Sequence, residues 1–161
     1  MTDPRVGTGF DAHRLVAGRP LMLGGVRIDH PRGLQGHSDG DCLLHAVCDA
    51  LLGALAAGDM GVHFPSADPR WKDAPSLVFL QAVARFVAQS GHVVGNVDAT
   101  IIAQEPRLAP YLELMRAGIA QALDVPVDAV SVKAKSTDGL GAIGRGEGIA
   151  AQAVVLVSRR D

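Results

Sequence analysis

Apolar and polar positions along the chain switch between a period of two and a period near 3.6, and the switches mark the elements. Residues 5–10, RVGTGF, set Val6, Thr8 and Phe10 against small or polar neighbours and predict a strand. PLMLGGVRI (20–28) predicts two short strand pieces broken at Gly24-Gly25 by a bulge or turn. In CLLHAVCDALLGALAA (42–57), Leu44, Val47, Cys48, Leu51, Leu52 and Leu55 fall on one stripe, which predicts a helix. Asp39 and Asp41 stand where N-terminal carboxylates are favoured, and Gly58 is a natural stop. Further helices are predicted over 76–91, ending at Gly91, and over 110–123, with Pro110 in the first turn. Strands are predicted over 96–104, 129–136 and 148–158. The last is nearly all apolar and reads as buried on both faces. Strands and helices interleave as an α/β layered domain. A doubly buried strand in so short a chain also predicts that one sheet face meets another subunit.

Composition narrows the core and the partners. Of 161 residues 48% are hydrophobic but only 4% aromatic, so the core is built from Ala, Val, Leu and Ile. A net charge of −2 without clustered Lys and Arg argues against nucleic acid as a partner. No apolar run reaches the roughly 18 residues of a membrane span. The opening MTDPRVG lacks an apolar signal region, so a cytoplasmic protein is expected. Cys42 and Cys48 lie on one predicted helix, roughly 9 Å apart along its axis at about 1.5 Å per residue, too far for a disulfide. They read as buried free thiols.

Candidate chemistry starts at FDAHRL (10–15). Asp11 and His13, two apart at the predicted strand end, point to the same side. Alone they are either ordinary polar residues or part of a metal site. Asp41, His45 and Asp49 share a face of the 42–57 helix. If that helix packs over the strand end, His45 closes a site with Asp11 and His13. Two imidazoles and a carboxylate suit zinc, and three protein ligands leave a catalytic position open. Asp49 is the candidate partner for the imidazole. In GLQGHSDGD (33–41), His37 and Ser38 offer donors between Gly36 and Gly40. In GDMGVHFPSAD (58–68), Asp59 is flanked by glycines, and His63 precedes Phe64-Pro65. Both stretches also read as plain caps or turns. KAKSTDGLGAIGRGEG (133–148) supplies Lys133, Lys135, Ser136, Thr137 and Asp138 among glycines, a composition suited to a diphosphate and its Mg²⁺. It contains no Walker motif.

Together these stretches resemble a known family. SDGDCLLHAVCDALLGALAAGDMGVHFPSAD (38–68), GTGFDAHRL, LGGVRI, GNVDATIIAQEPRL and GLGAIGRGEGIA are similar, in sequence and spacing, to the 2-C-methyl-D-erythritol 2,4-cyclodiphosphate synthases of the non-mevalonate isoprenoid pathway. The resemblance implies a single domain over 1–161: a mixed β-sheet covered by helices on one face, with three sheets packed around a three-fold axis. Active sites then lie between subunits of the homotrimer. The implied reaction closes 4-diphosphocytidyl-2-C-methyl-D-erythritol 2-phosphate on itself. Its 2-phosphate attacks the β-phosphorus and expels CMP, a metal-dependent phosphorus–oxygen lyase reaction.

The same resemblance carries roles over. Asp11, His13 and His45 match zinc ligands, one ion per subunit, and Asp11 and His13 also border the substrate. His37 and Ser136 match catalytic positions. His37 and Ser38 match the erythritol-phosphate loop, Asp59 and Gly61 methylerythritol contacts, and Phe64, Pro65 and Asp68 a further substrate loop. Ala103, Gln104, Pro106, Arg107, Leu108 and Ala109 match one wall of the cytidine pocket. Lys135, Ser136, Thr137 and Asp138 match the other wall and the diphosphate contacts, and Ala142 and Arg145 match further contacts. Asp138 falls on the ligand of a second ion, Mg²⁺ or Mn²⁺. Three positions depart from the family pattern: Ser136 replaces Thr, Asp138 replaces Glu, and Ala142 replaces Phe. Without the resemblance, the residues also fit a zinc-dependent phosphodiester hydrolase or a non-catalytic trimeric scaffold that binds metal or phosphate.

Overall fold

The computed structural model describes residues 3–160. In chain order the elements are β1 (Arg5–Ala17), β2 (Leu21–Leu23), β3 (Val26–Ile28), β4 (Arg32–Leu34), α1 (Cys42–Ala54), α2 (Met60–His63), α3 (Ser76–Gln89), β5 (His92–Ile102), α4 (Leu112–Leu123), β6 (Val130–Lys135), α5 (Gly141–Gly144) and β7 (Gly148–Arg159). Five strands form one sheet in the order β4-β1-β7-β5-β6. Only β5 and β6 run parallel, so the sheet is mixed. β2 and β3 form a separate hairpin, and Gly24-Gly25 is its turn, with both φ angles positive.

Helices cover one sheet face. Ala151, Ala153, Val155 and Val157 of β7 and Val97, Ala99 and Ile101 of β5 pack beneath them, against α1 and α3. The core is aliphatic, as the composition predicts, and both cysteines are buried and free. The opposite face is open. It exposes Val6 (65%), Phe10 (64%), Val154 (39%) and Leu156 (36%). The doubly buried strand predicted at 148–158 therefore alternates between buried and exposed residues from Ala151 onward, because nothing in the single chain covers its second face.

The α1–β1 contact positions the chemistry. Gly7 and Gly9 lie on the covered face of β1, and a Cβ there would fall 1.8 Å from the carbonyl oxygen of Ala50 and 1.9 Å from that of Ala46. With no side chains at these positions the helix lies almost on the strand backbone. Asp11 and His13 follow on the same face. β1 continues to Ala17, so this pair sits mid-strand, beyond the predicted end at residue 10.

Other boundaries shift for local reasons. α1 stops at Ala54, with Ala56 at φ 54°, before Gly58 is reached. Pro110 lies in a 3-10 turn, Ala109–Tyr111, that precedes α4. Gly91 ends α3 with φ 78°, as predicted.

Candidate active site

Asp11 and His13 on β1 meet His45 on α1. Asp11 Oδ2 lies 2.8 Å from His13 Nε2 and 2.9 Å from His45 Nδ1, and the two nitrogens are 3.3 Å apart. Ligands about 2.0–2.1 Å from a tetrahedral ion stand roughly 3.3 Å apart. The His–His separation already matches that edge, and the carboxylate has to withdraw by only about half an ångström. Among the described residues this is the one cluster of three His, Cys, Asp or Glu side chains that can hold a metal ion.

Burial works to raise the Asp11 carboxyl, but hydrogen bonds from His13 and His45 outweigh it and hold the carboxyl at about 2. The bond to Asp11 raises His13 above its usual value, against the effect of burial. The metal-free triad thus keeps an ionised carboxylate, and His13 holds its proton to higher pH than a free imidazole, a proton that a metal has to displace.

The triad borders a cleft of about 300 Å³, also lined by His37, Ser38, Asp49, Met60, Gly61, Phe64, Ser66, Trp71 and Phe79. Phe64, Trp71 and Phe79 form an apolar wall with ring centroids 4.8–5.5 Å apart. A larger groove of about 500 Å³ between α3 and α4 contains none of the residues predicted from sequence.

Two expectations for α1 are corrected. Asp41 does not share the face of His45. It is the buried N-cap of α1, and its carboxylate accepts the N–H groups of Gly24, Gly25 and Leu44. Asp49 is not the partner of the imidazole. It accepts the Met60 N–H at 2.8 Å and ties the 59–61 turn to α1. His45 Nε2 instead meets Ser76 Oγ at 2.8 Å and Ser38 Oγ at 3.2 Å.

The other predicted residues divide into two groups. Near the triad, His37 is exposed, with Nε2 3.3 Å from the carbonyl oxygen of Asp68. Asp59 caps α2 through the Val62 N–H, and the Asp68 carboxylate is engaged by Arg70. Pro65 is exposed on the same loop. His63 packs against Phe86 and donates its Nε2–H to the Ala57 carbonyl oxygen at 2.9 Å, a structural role.

The second group lies at the carboxyl ends of the parallel pair β5 and β6. Ala103 N–H bonds the Lys135 carbonyl, and Gly139 N–H donates to Gln104 Oε1 at 3.0 Å. These contacts bring the segment 103–109, with Pro106, Arg107, Leu108 and Ala109, beside Ser136, Thr137 and Asp138. Asp138 holds φ 52° and accepts from Ser136 Oγ at 3.2 Å. Ala142 is exposed on α5, and Arg145 Nε pairs with Glu147 at 3.1 Å. Lys133 does not join this loop, because it is paired with Asp98 on the open sheet face.

Within one chain the two groups do not meet. β7 and β5 stand between β1 and β6, and three strand spacings of about 4.8 Å set them roughly 14 Å apart across the sheet.

A family model, the YgbB family, matches residues 4–158. The chain belongs to the YgbB family. It is 57% identical over 155 residues to the 2-C-methyl-D-erythritol 2,4-cyclodiphosphate synthase of Alkaliphilus metalliredigens, covering 96% of this chain and 98% of that protein. Among solved structures, it superposes on a 2C-methyl-D-erythritol-2,4-cyclodiphosphate synthase in a CDP-bound form with a TM-score of 0.87 and 37% identity, covering 95% of this chain and 99% of that one. It also matches the bifunctional IspDF of Campylobacter jejuni with a TM-score of 0.96 and 38% identity, covering all of this chain and 44% of that longer one. The YgbB chain described here thus matches the expected family along essentially its whole length.

Sequence reading missed Arg19. Its guanidinium donates to the carbonyls of Gly36 at 3.0 Å and Ser38 at 2.6 Å, pinning the loop that carries His37. No local pattern marks it, because an Arg after Gly18 reads as a surface turn. Ser76 was legible only as a helix start, although it touches a triad histidine.

Proposed function

We propose that this protein converts 4-diphosphocytidyl-2-C-methyl-D-erythritol 2-phosphate to 2-C-methyl-D-erythritol 2,4-cyclodiphosphate and CMP. A 2-phosphate oxygen forms the new bond to the β-phosphorus, and the bond from that phosphorus to the CMP oxygen breaks. The observation that carries the proposal is the convergence of Asp11, His13 and His45 in a cleft, in a chain so similar to a synthase of that name.

The donor set and the His–His spacing suit zinc. When bound, zinc at the triad and Mg²⁺ or Mn²⁺ on the diphosphate supply positive charge that offsets phosphate repulsion and polarises the β-phosphorus. The chain's own part is orientation, which in well-aligned intramolecular reactions reaches effective molarities of about 10⁵–10⁸ M. Arg19 fixes the 36–38 loop, so His37 and Ser38 face the cleft in one arrangement. Phe64, Trp71 and Phe79 give the methylerythritol carbon skeleton an apolar wall and keep water from it. Ser136, Thr137 and Asp138 present hydroxyls, backbone N–H groups and one carboxylate to the diphosphate. The 103–109 segment forms the cytidine side.

A complete site needs both groups of residues. The open apolar face around Val6, Phe10, Val154 and Leu156 supports a homotrimer in which the triad of one subunit meets the 134–138 loop of the next. Ser136 keeps the hydroxyl of the family's Thr. Asp138 keeps its carboxylate one methylene shorter, a gap that a water can fill.

The test is ³¹P NMR of the substrate with the purified protein, zinc and Mg²⁺. Signals of a cyclic diphosphate with equimolar CMP are expected. A linear phosphate product would indicate a hydrolase, and unaltered substrate a binding scaffold.

A further inference from the structure

We propose that Ser76 and Asp39 form a positioning relay that orients His45 and fixes which of its nitrogens faces the metal. The proposal rests on the zinc reading above and adds to it two residues outside the ligand set. They come from separate segments. Asp39 lies in the loop before α1, and Ser76 is the first residue of α3 and is fully buried.

The direction of each hydrogen bond follows from the chemistry of the groups. An ionised carboxylate only accepts. Asp39 takes the Asp41 N–H at 3.1 Å on Oδ1 and the Ser76 N–H at 3.0 Å on Oδ2, and Ser76 Oγ bonds to the same Oδ1. The Ser76 hydroxyl therefore donates its single proton to Asp39. Its remaining lone pairs face His45 Nε2 at 2.8 Å. Nε2 has to be the donor there and keeps its proton, so Nδ1, which donates to Asp11 in the metal-free chain, is the nitrogen left to give up its proton and present its lone pair when a metal binds. Ser38 Oγ, at 3.2 Å from Nε2, is longer and also receives the Gly40 N–H at 3.4 Å, so it is the secondary contact. The arrangement is a carboxylate–hydroxyl–histidine chain, a variant of the carboxylate–histidine–zinc pattern in which the outer partner sets tautomer and ring orientation.

The experiment measures zinc affinity of the full-length protein by chelator competition. Ser76→Ala is expected to weaken zinc binding about 10–100-fold while the metal-free variant still unfolds cooperatively. In a His45→Ala background, Ser76→Ala is expected to cause no further loss, since the relay acts only through that ring. A purely structural serine would weaken both backgrounds alike, and that result would overturn the proposal. So would an unchanged affinity in Ser76→Ala. A second measurement needs no variant. In ¹H–¹⁵N spectra of the zinc-loaded parent, the His45 ring is expected to carry a slowly exchanging proton on Nε2 and none on Nδ1. The opposite pattern, or rapid exchange of the Nε2 proton, would refute the relay. Because both readouts follow metal binding, a parent that binds zinc but forms no cyclic product would count against the functional reading alone.

Discussion

Gly9→Ala tests whether the near-contact of α1 with β1 builds the metal site. The added Cβ would lie 1.9 Å from the Ala46 carbonyl oxygen and 2.8 Å from the Ala50 nitrogen, whereas ordinary contact begins at 3.4 Å. Both are backbone atoms, so no side chain can swing away. The helix has to retreat by about 1.5 Å, and His45, adjacent to Ala46, moves with it. Overpacking of this kind costs about 1–3 kcal/mol, and a backbone clash belongs at the upper end. At about 2–4 °C per kcal/mol for a chain of this size, the metal-free protein should melt roughly 6–12 °C lower. The displacement is comparable with a zinc–nitrogen bond of about 2.0–2.1 Å, so zinc affinity should fall at least about tenfold. Gly53→Ala is the control. Its Cβ meets only the Thr8 carbonyl oxygen, at 3.7 Å, and helix propensity predicts a gain of up to about 1 kcal/mol. Calorimetry and zinc titration of the two variants provide the assay. A Gly9→Ala protein with the parent's melting temperature and zinc affinity would refute the reasoning.

His45→Ala should lose most of the bound zinc, as elemental analysis of the purified protein will show, because two ligands make a weak site. Asp138→Asn should keep zinc and the fold but raise the Mg²⁺ concentration for half-maximal turnover, while Asp138→Glu should be tolerated; an unaltered Mg²⁺ dependence would reduce Asp138 to a turn former. In the metal-free protein, the raised His13 contributes stability that is full below its unfolded value near 6.5 and is lost as pH rises through its folded value. The Asp11 contribution is present above its unfolded value of 3.8 and is lost as pH falls through about 2. Metal-free melting temperature should therefore be higher at pH 5 than at pH 8, and zinc affinity should rise over the same interval as the His13 proton becomes easier to displace. Melting curves and zinc titrations at the two pH values check both signs.

Much of this was legible in local pattern. The 3.6 period of 42–57 and the two-residue spacing of Asp11 and His13 set a helical histidine against a strand pair, and the two elements do pack together. What sequence could not supply was the depth of that packing. Gly7 and Gly9 read as ordinary alternation partners, and only the positions of Ala46 and Ala50 explain why they lack side chains. Helical spacing placed Asp41, His45 and Asp49 on one face, but Asp41 lies outside the helix as its cap, and Asp49 is taken by the backbone of Met60. The partners of His45 came from residues far away in sequence, Ser76 above all, where no periodicity connects them. The apolar run 148–158 signalled a buried strand, yet a single chain leaves half of it uncovered.

The central claim is that one catalytic site draws on two subunits. The most direct measurement mixes two inactive variants, His45→Ala and Asp138→Ala, by unfolding and refolding them together at equal concentration, and assays CMP release. In a closed ring each site takes its triad from one chain and its diphosphate loop from the next, so random assembly leaves about one site in four intact. Recovery of about a quarter of the parent's activity is the predicted result. No recovery, from variants that each refold and assemble, would mean that each site is contained within a single chain and would contradict the account.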